Sequence, residues 1–110
     1  MAVLLDRLIA QAKLTTTNTQ YADYKARDAF YHSGPWRRLR KEMLKRDNHE
    51  CQVTKSEGGV CTEDLIVHHI KPLEFFPELA LEPSNLIVVN KSVHNVIHGL
   101  SVPKFNDEWW

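Results

Sequence analysis

Apolar residues recur at helical spacing in the first half of the chain. Residues 2–14 form one such stretch, which ends at the threonine-rich segment 15–19, where a helix does not continue readily. A second stretch begins at Ser33, a candidate N-cap, with Pro35 in the first turn, where its missing N–H costs nothing. The apolar stripe of this second helix consists of Trp36, Leu39, Met43 and Leu44. Residues 20–31, between the two helices, fit either a helix or an extended arm.

The pattern changes after residue 50 to short β-forming runs separated by turns. These runs are 51–53, 65–67 and 86–89, and Gly58-Gly59 marks a turn after the first. Residues 73–83 are typical of an irregular loop, and Asn90 is a good N-cap for a helix of about two turns that stops at Gly99 in the C′ position. The order of strand, loop, strand and helix, preceded by helices, predicts an α+β fold.

Length and composition indicate one globular domain. The chain has 110 residues, of which 43% are hydrophobic and 25% charged, an ordinary globular mixture. Within this single domain we distinguish an N-terminal helix and arm, residues 1–30, from the main body, residues 31–110.

Charge is distributed unevenly, although the formal net charge is zero. Residues 1–50 hold ten Lys/Arg against six Asp/Glu, and residues 51–110 hold four against eight. The basic excess is densest in the helix after Ser33, which makes it a candidate phosphate-contacting surface. The alternative is an ordinary solvated helix face. The candidate DNA contacts are Arg37, Arg38, Arg40 and Lys41.

Export and membrane insertion are not expected. Asp6 and Arg7 interrupt the apolar start before a signal-peptide core can form, and no apolar run is long enough to span a bilayer. The only cysteines are Cys51 and Cys61, so we expect a cytoplasmic protein with reduced thiols.

Four of the six histidines cluster at the ends of the predicted elements. His94 and His98 are four residues apart on one helix face, a spacing that suits two nitrogens binding one ion. His68 and His69 follow each other on a strand and should point to opposite sides, so that one completes a three-histidine site while the other stays unligated. A metal would stabilise charge on a phosphodiester, and a neutral imidazole would serve as general base.

Three segments together resemble the HNH endonuclease signature in its ββα-metal form. They read VHHIKPL at 67–73, NLIVV at 85–89 and HNVIHG at 94–99. The lead-in FYHSGPWRRLR at 30–40, with Arg46-Asp47 before Cys51-Gln52, is similar to small phage-encoded members. The resemblance implies a ββα-metal core with additional N-terminal helices, residues 31–110 forming the nuclease domain. It also implies a metal-dependent endonuclease that hydrolyses DNA.

The resemblance assigns roles to individual residues. His68, His94 and His98 would bind one divalent cation, His69 would be the general base, and Asn85 would be the central Asn that holds the loop so that His69 is oriented. We expect the cation to be Zn²⁺, Ni²⁺, Mn²⁺, Co²⁺ or Mg²⁺, with transition metals favoured by imidazole ligands.

The chain departs from many relatives in one respect. Where they carry two cysteine pairs that hold a structural zinc, this chain has Cys51, Thr54, Asn90 and Val93. We therefore expect no structural zinc, with Asn90 capping the last helix, Val93 and Cys51 packed in the core, and Cys61 outside the pattern.

Two alternative functions and several partners follow from the same residues. The histidines could form a structural zinc site, although a closed site needs a fourth protein ligand, or the chain could bind DNA without cutting it. DNA is the expected partner, and the similarity to phage nucleases suggests a terminase or another packaging protein beside it. Trp109 and Trp110 at the chain end are candidates for folding back on the core or for a partner contact.

Overall fold

Five α-helices and one two-stranded sheet make up the part of the protein that its computed structural model describes, residues 3–16, 20, 21 and 23–99. The helices are α1 (Val3–Ala12), α2 (Tyr24–Tyr31), α3 (Gly34–Arg46), α4 (Gln52–Ser56) and α5 (Lys91–Ile97). The strands are β1 (Leu65–His69) and β2 (Leu86–Asn90), with 3-10 turns at Pro77–Leu79 and Pro83–Asn85 between them. This mixture confirms the expected α+β class.

The two strands pair antiparallel, with Val67 opposite Val88 and His69 opposite Leu86. Successive side chains on a strand point to opposite faces, so Val88 and Val89 enter two separate apolar clusters. The buried residues of the first cluster are Phe30, Tyr31, Trp36, Met43, Val67, Leu73, Ala80, Leu86 and Val88. Those of the second are Leu8, Cys51, Val53, Val89 and Ile97. The sheet therefore lies between α2 and α3 on one face and α1, α4 and α5 on the other.

The end of α3 is joined to β2 by two side chains. The guanidinium of Arg46 donates to the carbonyls of Pro83 (2.8 Å) and Leu86 (2.7 Å). The carboxylate of the next residue, Asp47, accepts from the Val88 backbone N–H at 3.0 Å and pairs with Arg46 at 2.9 Å. These bonds hold the helix that carries Trp36 against β2, the partner of the strand that carries His68 and His69.

The strand predicted at 51–53 is wrong. The backbone N–H of Cys51 does bond to the Cys61 carbonyl (2.8 Å), but α4 begins at Gln52, and Lys55 N–H bonds back to the Cys51 carbonyl (3.0 Å). A strand at this position would leave its backbone groups without a ladder, whereas a helix satisfies them within itself. The helix also buries Val53 in the second cluster, and that burial outweighs a local β preference.

Other elements agree with their sequence signals. The undecided segment 20–31 contains helix α2, which begins after Asp23, whose side chain accepts from Ala26 N–H at 2.9 Å. Ser33 and Asn90 are the N-caps of α3 and α5, and Gly99 follows α5 with φ of 67°, the left-handed conformation that favours glycine.

Three predictions are refined by the structure or fall outside it. The loop predicted at 73–83 contains the 3-10 turn Pro77–Leu79, and the strand predicted at 65–67 continues to His69. Trp109 and Trp110 lie outside the described residues. Among the described helices, none has the length and apolar character needed to cross a membrane.

Candidate metal centre and active site

Three histidine side chains converge at the junction of β1 and α5. His68 lies on β1, His94 lies in the middle of α5, and His98 is the C-cap residue of α5. One ring nitrogen from each lies within 4.8 Å of the other two, and the Nε2 atoms of His94 and His98 are 3.0 Å apart. Helical spacing brings the latter two together, and strand pairing brings His68 to them.

The environment of these rings fits a metal ion. His68 and His94 are 2% and 1% exposed, and Nε2 of His68 is buried with no hydrogen-bond partner among the described residues. Such an atom costs about 1–3 kcal/mol unless something satisfies it. Burial, together with the neighbouring histidines, lowers the pKa of His68 well below its usual value and that of His94 to about 3. Neutral imidazoles with an unshared electron pair are what a transition metal requires.

His69 lies outside this triad and packs against aromatic rings. Its ring is stacked on Trp36, with 5.0 Å between centroids and 22° between planes. Nε2 is 2.9 Å from the Ala80 carbonyl oxygen. Because a carbonyl only accepts, Nε2 carries the proton and Nδ1 carries the electron pair. The Tyr31 hydroxyl is 3.4 Å from Nδ1 and donates to it.

The protonation of His69 follows from its burial. Burial lowers its pKa to about 4, and the bond to the Ala80 carbonyl acts in the opposite direction. His69 is therefore neutral near pH 7, with its acceptor nitrogen directed by two neighbours.

Asn85 ties the loop before β2 to the segment after β1. Its Oδ1 accepts from Lys71 N–H at 2.9 Å, and its Nδ2 donates to the carbonyls of Lys71 (3.2 Å) and Leu79 (3.4 Å). Leu79 precedes Ala80, the residue that accepts from His69. Asn85 thus contacts the backbone of the loop that carries the acceptor carbonyl of His69.

A solved structure is similar in fold to most of this chain. It is the crystal structure of the HNH endonuclease of deep-sea thermophilic bacteriophage GVE2, with manganese ion, at 33% identity and a TM-score of 0.64. The similarity covers 68% of this chain and 80% of that one. No protein-family model and no curated protein matches the chain. This chain belongs to the HNH endonuclease family.

The family resemblance also places the residues that correspond to the zinc knuckle of other HNH proteins. Asn90 Oδ1 caps α5 by accepting from Val93 N–H at 2.7 Å, while its Nδ2 lies 3.2 Å from Cys61 Sγ. Cys51 is fully buried, and Thr54 and Val93 are half-buried. Cys61 therefore lies beside Asn90, one of the positions that hold zinc in other HNH proteins. This proximity was not predicted from the position of Cys61 in the sequence. Within the described residues, the histidine triad is the one group of three or more potential ligands that converges.

The basic residues proposed from sequence as DNA contacts lie apart from the histidines. Arg37, Arg38 and Lys41 are exposed on α3, and Arg40 is half-buried. None of them lines the cavity, of about 60 Å³, that contains His68, His69 and His98.

Sequence reasoning missed three polar residues of that HNH site. Arg27, Tyr31 and Glu74 line the same cavity, and Arg27 Nη1 lies 3.4 Å from Glu74 Oε2. Burial raises the pKa of Tyr31, Arg27 opposes that shift, and Glu74 adds to it. Arg27 and Glu74 lie outside every motif found in the sequence, and Tyr31 lies in the lead-in at 30–40, to whose tyrosine the resemblance assigned no role.

Proposed function

We propose that this HNH protein is an endonuclease that hydrolyses DNA phosphodiester bonds, with His69 as general base and one divalent cation held by His68, His94 and His98. A single observation carries the proposal: three metal-competent histidine nitrogens converge, and two of these histidines, His68 and His98, share a cavity with His69, whose electron pair is oriented outside the triad. A binding module requires no oriented base, and a closed structural zinc site requires a fourth ligand.

The bound cation would supply charge stabilisation to the phosphate and to the leaving oxygen. The chain's own groups perform the proton transfer. His69 Nδ1 accepts a proton from water as the water oxygen attacks phosphorus and the phosphodiester P–O bond breaks. The Nε2–H bond to Ala80 keeps the ring in the tautomer that this step needs.

Tyr31 and Trp36 prepare His69 for this role. The Tyr31 hydroxyl directs Nδ1 in the free protein, and at 3.4 Å its bond is long and weak, so water can replace it at small cost. Stacking on Trp36 prevents rotation of the ring. Asn85 holds the loop that contains the acceptor carbonyl. In this proposal β1, β2 and α5 form the ββα-metal core.

DNA beyond the cleaved bond would lie along α3. Arg37, Arg38 and Lys41 are exposed there and offer charge to phosphates without reading bases. We include in the proposal a role in processing or packaging viral DNA beside a terminase, which the similarity to a phage enzyme supports.

The test is incubation of the purified protein with plasmid DNA across a panel of divalent cations and with chelator. We expect nicking or cutting with metal and none with chelator. His69→Ala should abolish cleavage while metal binding persists, whereas His94→Ala should lose metal affinity. His32→Ala, which removes an exposed histidine outside the cavity, is the matched control and should cleave normally.

Full activity of metal-loaded His69→Ala would refute the general-base assignment. DNA binding without cleavage in any metal would favour the non-catalytic alternative.

A further inference from the structure

The cavity beside the metal centre contains one permanent cation and one carboxylate. Among the described residues that line it, Arg27 is the only arginine or lysine and Glu74 the only acid. Of the histidines that line it, His68 and His98 are neutral when they bind a metal, and His69 is neutral because burial lowers its pKa. An anionic phosphodiester that reaches His69 therefore meets two fixed charges of the chain, one attractive and one repulsive.

Arg27, on α2, is anchored to a residue that precedes this helix and is paired loosely with Glu74. Its Nη1 donates to the Tyr21 carbonyl at 2.9 Å, which holds the guanidinium in place. The same atom lies 3.4 Å from Glu74 Oε2, and the side chains are 22% and 46% exposed. An ion pair this long and this accessible to water is weak, so another anion can replace the carboxylate.

The guanidinium belongs to a residue that lines the same cavity as the proposed base. Its charge acts on the Tyr31 hydroxyl, where it opposes the effect of burial on the pKa, and that hydroxyl is 3.4 Å from His69 Nδ1. A phosphate bound to Arg27 would thus be near the nitrogen that activates water. The exposed cations of α3 have no such position, because none of them lines the cavity.

We propose that Arg27 binds the DNA phosphate presented to His69, and that Glu74 occupies Arg27 in the free protein until the phosphate replaces it. Arginine suits this role because its planar fork can donate two bonds to one phosphate. The proposal rests on the proposed nuclease function for the identity of the ligand, and it adds the residue that selects and positions it.

Opposite effects of two substitutions test the exchange. A fluorescent DNA duplex is titrated with the Mn²⁺-loaded His69→Ala protein, in which the duplex stays intact, and cleavage kinetics are measured separately in the wild-type background. Arg27→Gln should weaken DNA binding roughly 10- to 100-fold, which is the loss of affinity expected when a charge-assisted hydrogen bond is removed. Arg27→Lys should fall between, because it keeps the charge and loses the fork.

Glu74→Gln should tighten binding by about two- to fivefold, since it removes the competing anion. If the ion pair were only structural, both substitutions would weaken binding together. Lys25→Gln is the matched control, because it removes the same charge from an exposed position on the same helix. It should change binding by less than about threefold, as expected for a screened surface charge.

The results separate this proposal from the nuclease proposal. If wild type cleaves DNA and Arg27→Gln cleaves and binds DNA equally well, the role of Arg27 is overturned and the nuclease proposal stands. DNA binding that depends on Arg27, with no cleavage by wild type, would overturn the nuclease proposal and leave the role of Arg27 standing. Equal losses in Arg27→Gln and Lys25→Gln would also overturn the role of Arg27, since only overall charge would then matter.

Discussion

Trp36 lies face to face with His69, although the two residues are on different elements. The ring centroids are 5.0 Å apart, and Trp36 is 1% exposed. Trp36 also contacts the rings of Phe30 and Tyr31, at 5.3 and 5.5 Å. The same indole therefore fills the core and forms the wall behind the proposed general base.

Replacing Trp36 should reduce both stability and activity. Trp36→Ala removes a large buried ring and should cost about 3–5 kcal/mol in the free energy of unfolding. Trp36→Phe should cost less and remain folded, yet cleave more slowly, because a smaller ring supports His69 less well. Urea unfolding and cleavage kinetics measure the two effects.

The control for that experiment is Met43→Leu, a change in the same apolar cluster. It should cost less than about 1.5 kcal/mol and leave the rate unchanged. An unchanged rate in folded Trp36→Phe would show that the stack has no part in orienting His69.

Asp47 should contribute to stability through the bond it accepts from β2. Asp47→Ala leaves the Val88 N–H and the Arg46 guanidinium without their carboxylate partner, and we expect a loss of about 1–3 kcal/mol. Glu42→Ala, at an exposed position on α3, should stay within about 0.5 kcal/mol of wild type. Thermal and urea unfolding compare the variants. If both variants unfolded alike, the bond between the helix end and β2 would contribute nothing measurable.

The metal preference should follow the nitrogen ligands. Imidazole binds first-row transition ions well, whereas Mg²⁺ prefers oxygen ligands and keeps much of its water. Calorimetric titration should therefore give tighter binding of Mn²⁺, Co²⁺, Ni²⁺ or Zn²⁺ than of Mg²⁺. His68→Ala should weaken the binding of all these transition ions. Tightest binding of Mg²⁺ would contradict His68 as a ligand.

The fold should survive removal of metal. The two apolar clusters pack around the sheet without using the histidine triad, so circular dichroism should be nearly unchanged by chelator. The melting temperature should fall modestly, because a ligand that binds only the native state is lost. Elemental analysis should find one metal per chain. Unfolding on chelation, or two zinc ions per chain, would contradict this prediction and show that Cys61 or another residue has rebuilt the structural zinc site.

Local rules and the motif resemblance together identified the triad. The periods of helix and strand place His94 with His98 and separate His68 from His69, and the motif resemblance supplied the link between strand and helix. The caps Ser33 and Asn90 and the stop at Gly99 are equally local, since each depends on bonds within a few residues. These features could be predicted because the interactions that produce them span short stretches of chain.

Tertiary structure alone decided the surroundings of the triad. Arg27 and Glu74 are 47 residues apart in sequence and Tyr31 and His69 are 38 apart, so no local pattern brings them together. The helix at α4 likewise arises because Val53 is buried against elements far along the chain. The residue types and their spacing show which side chains can bind a metal or accept a proton. Only the packing of α2 and α3 against the sheet decided which charges and rings surround them, because burial and long-range contact depend on the whole fold.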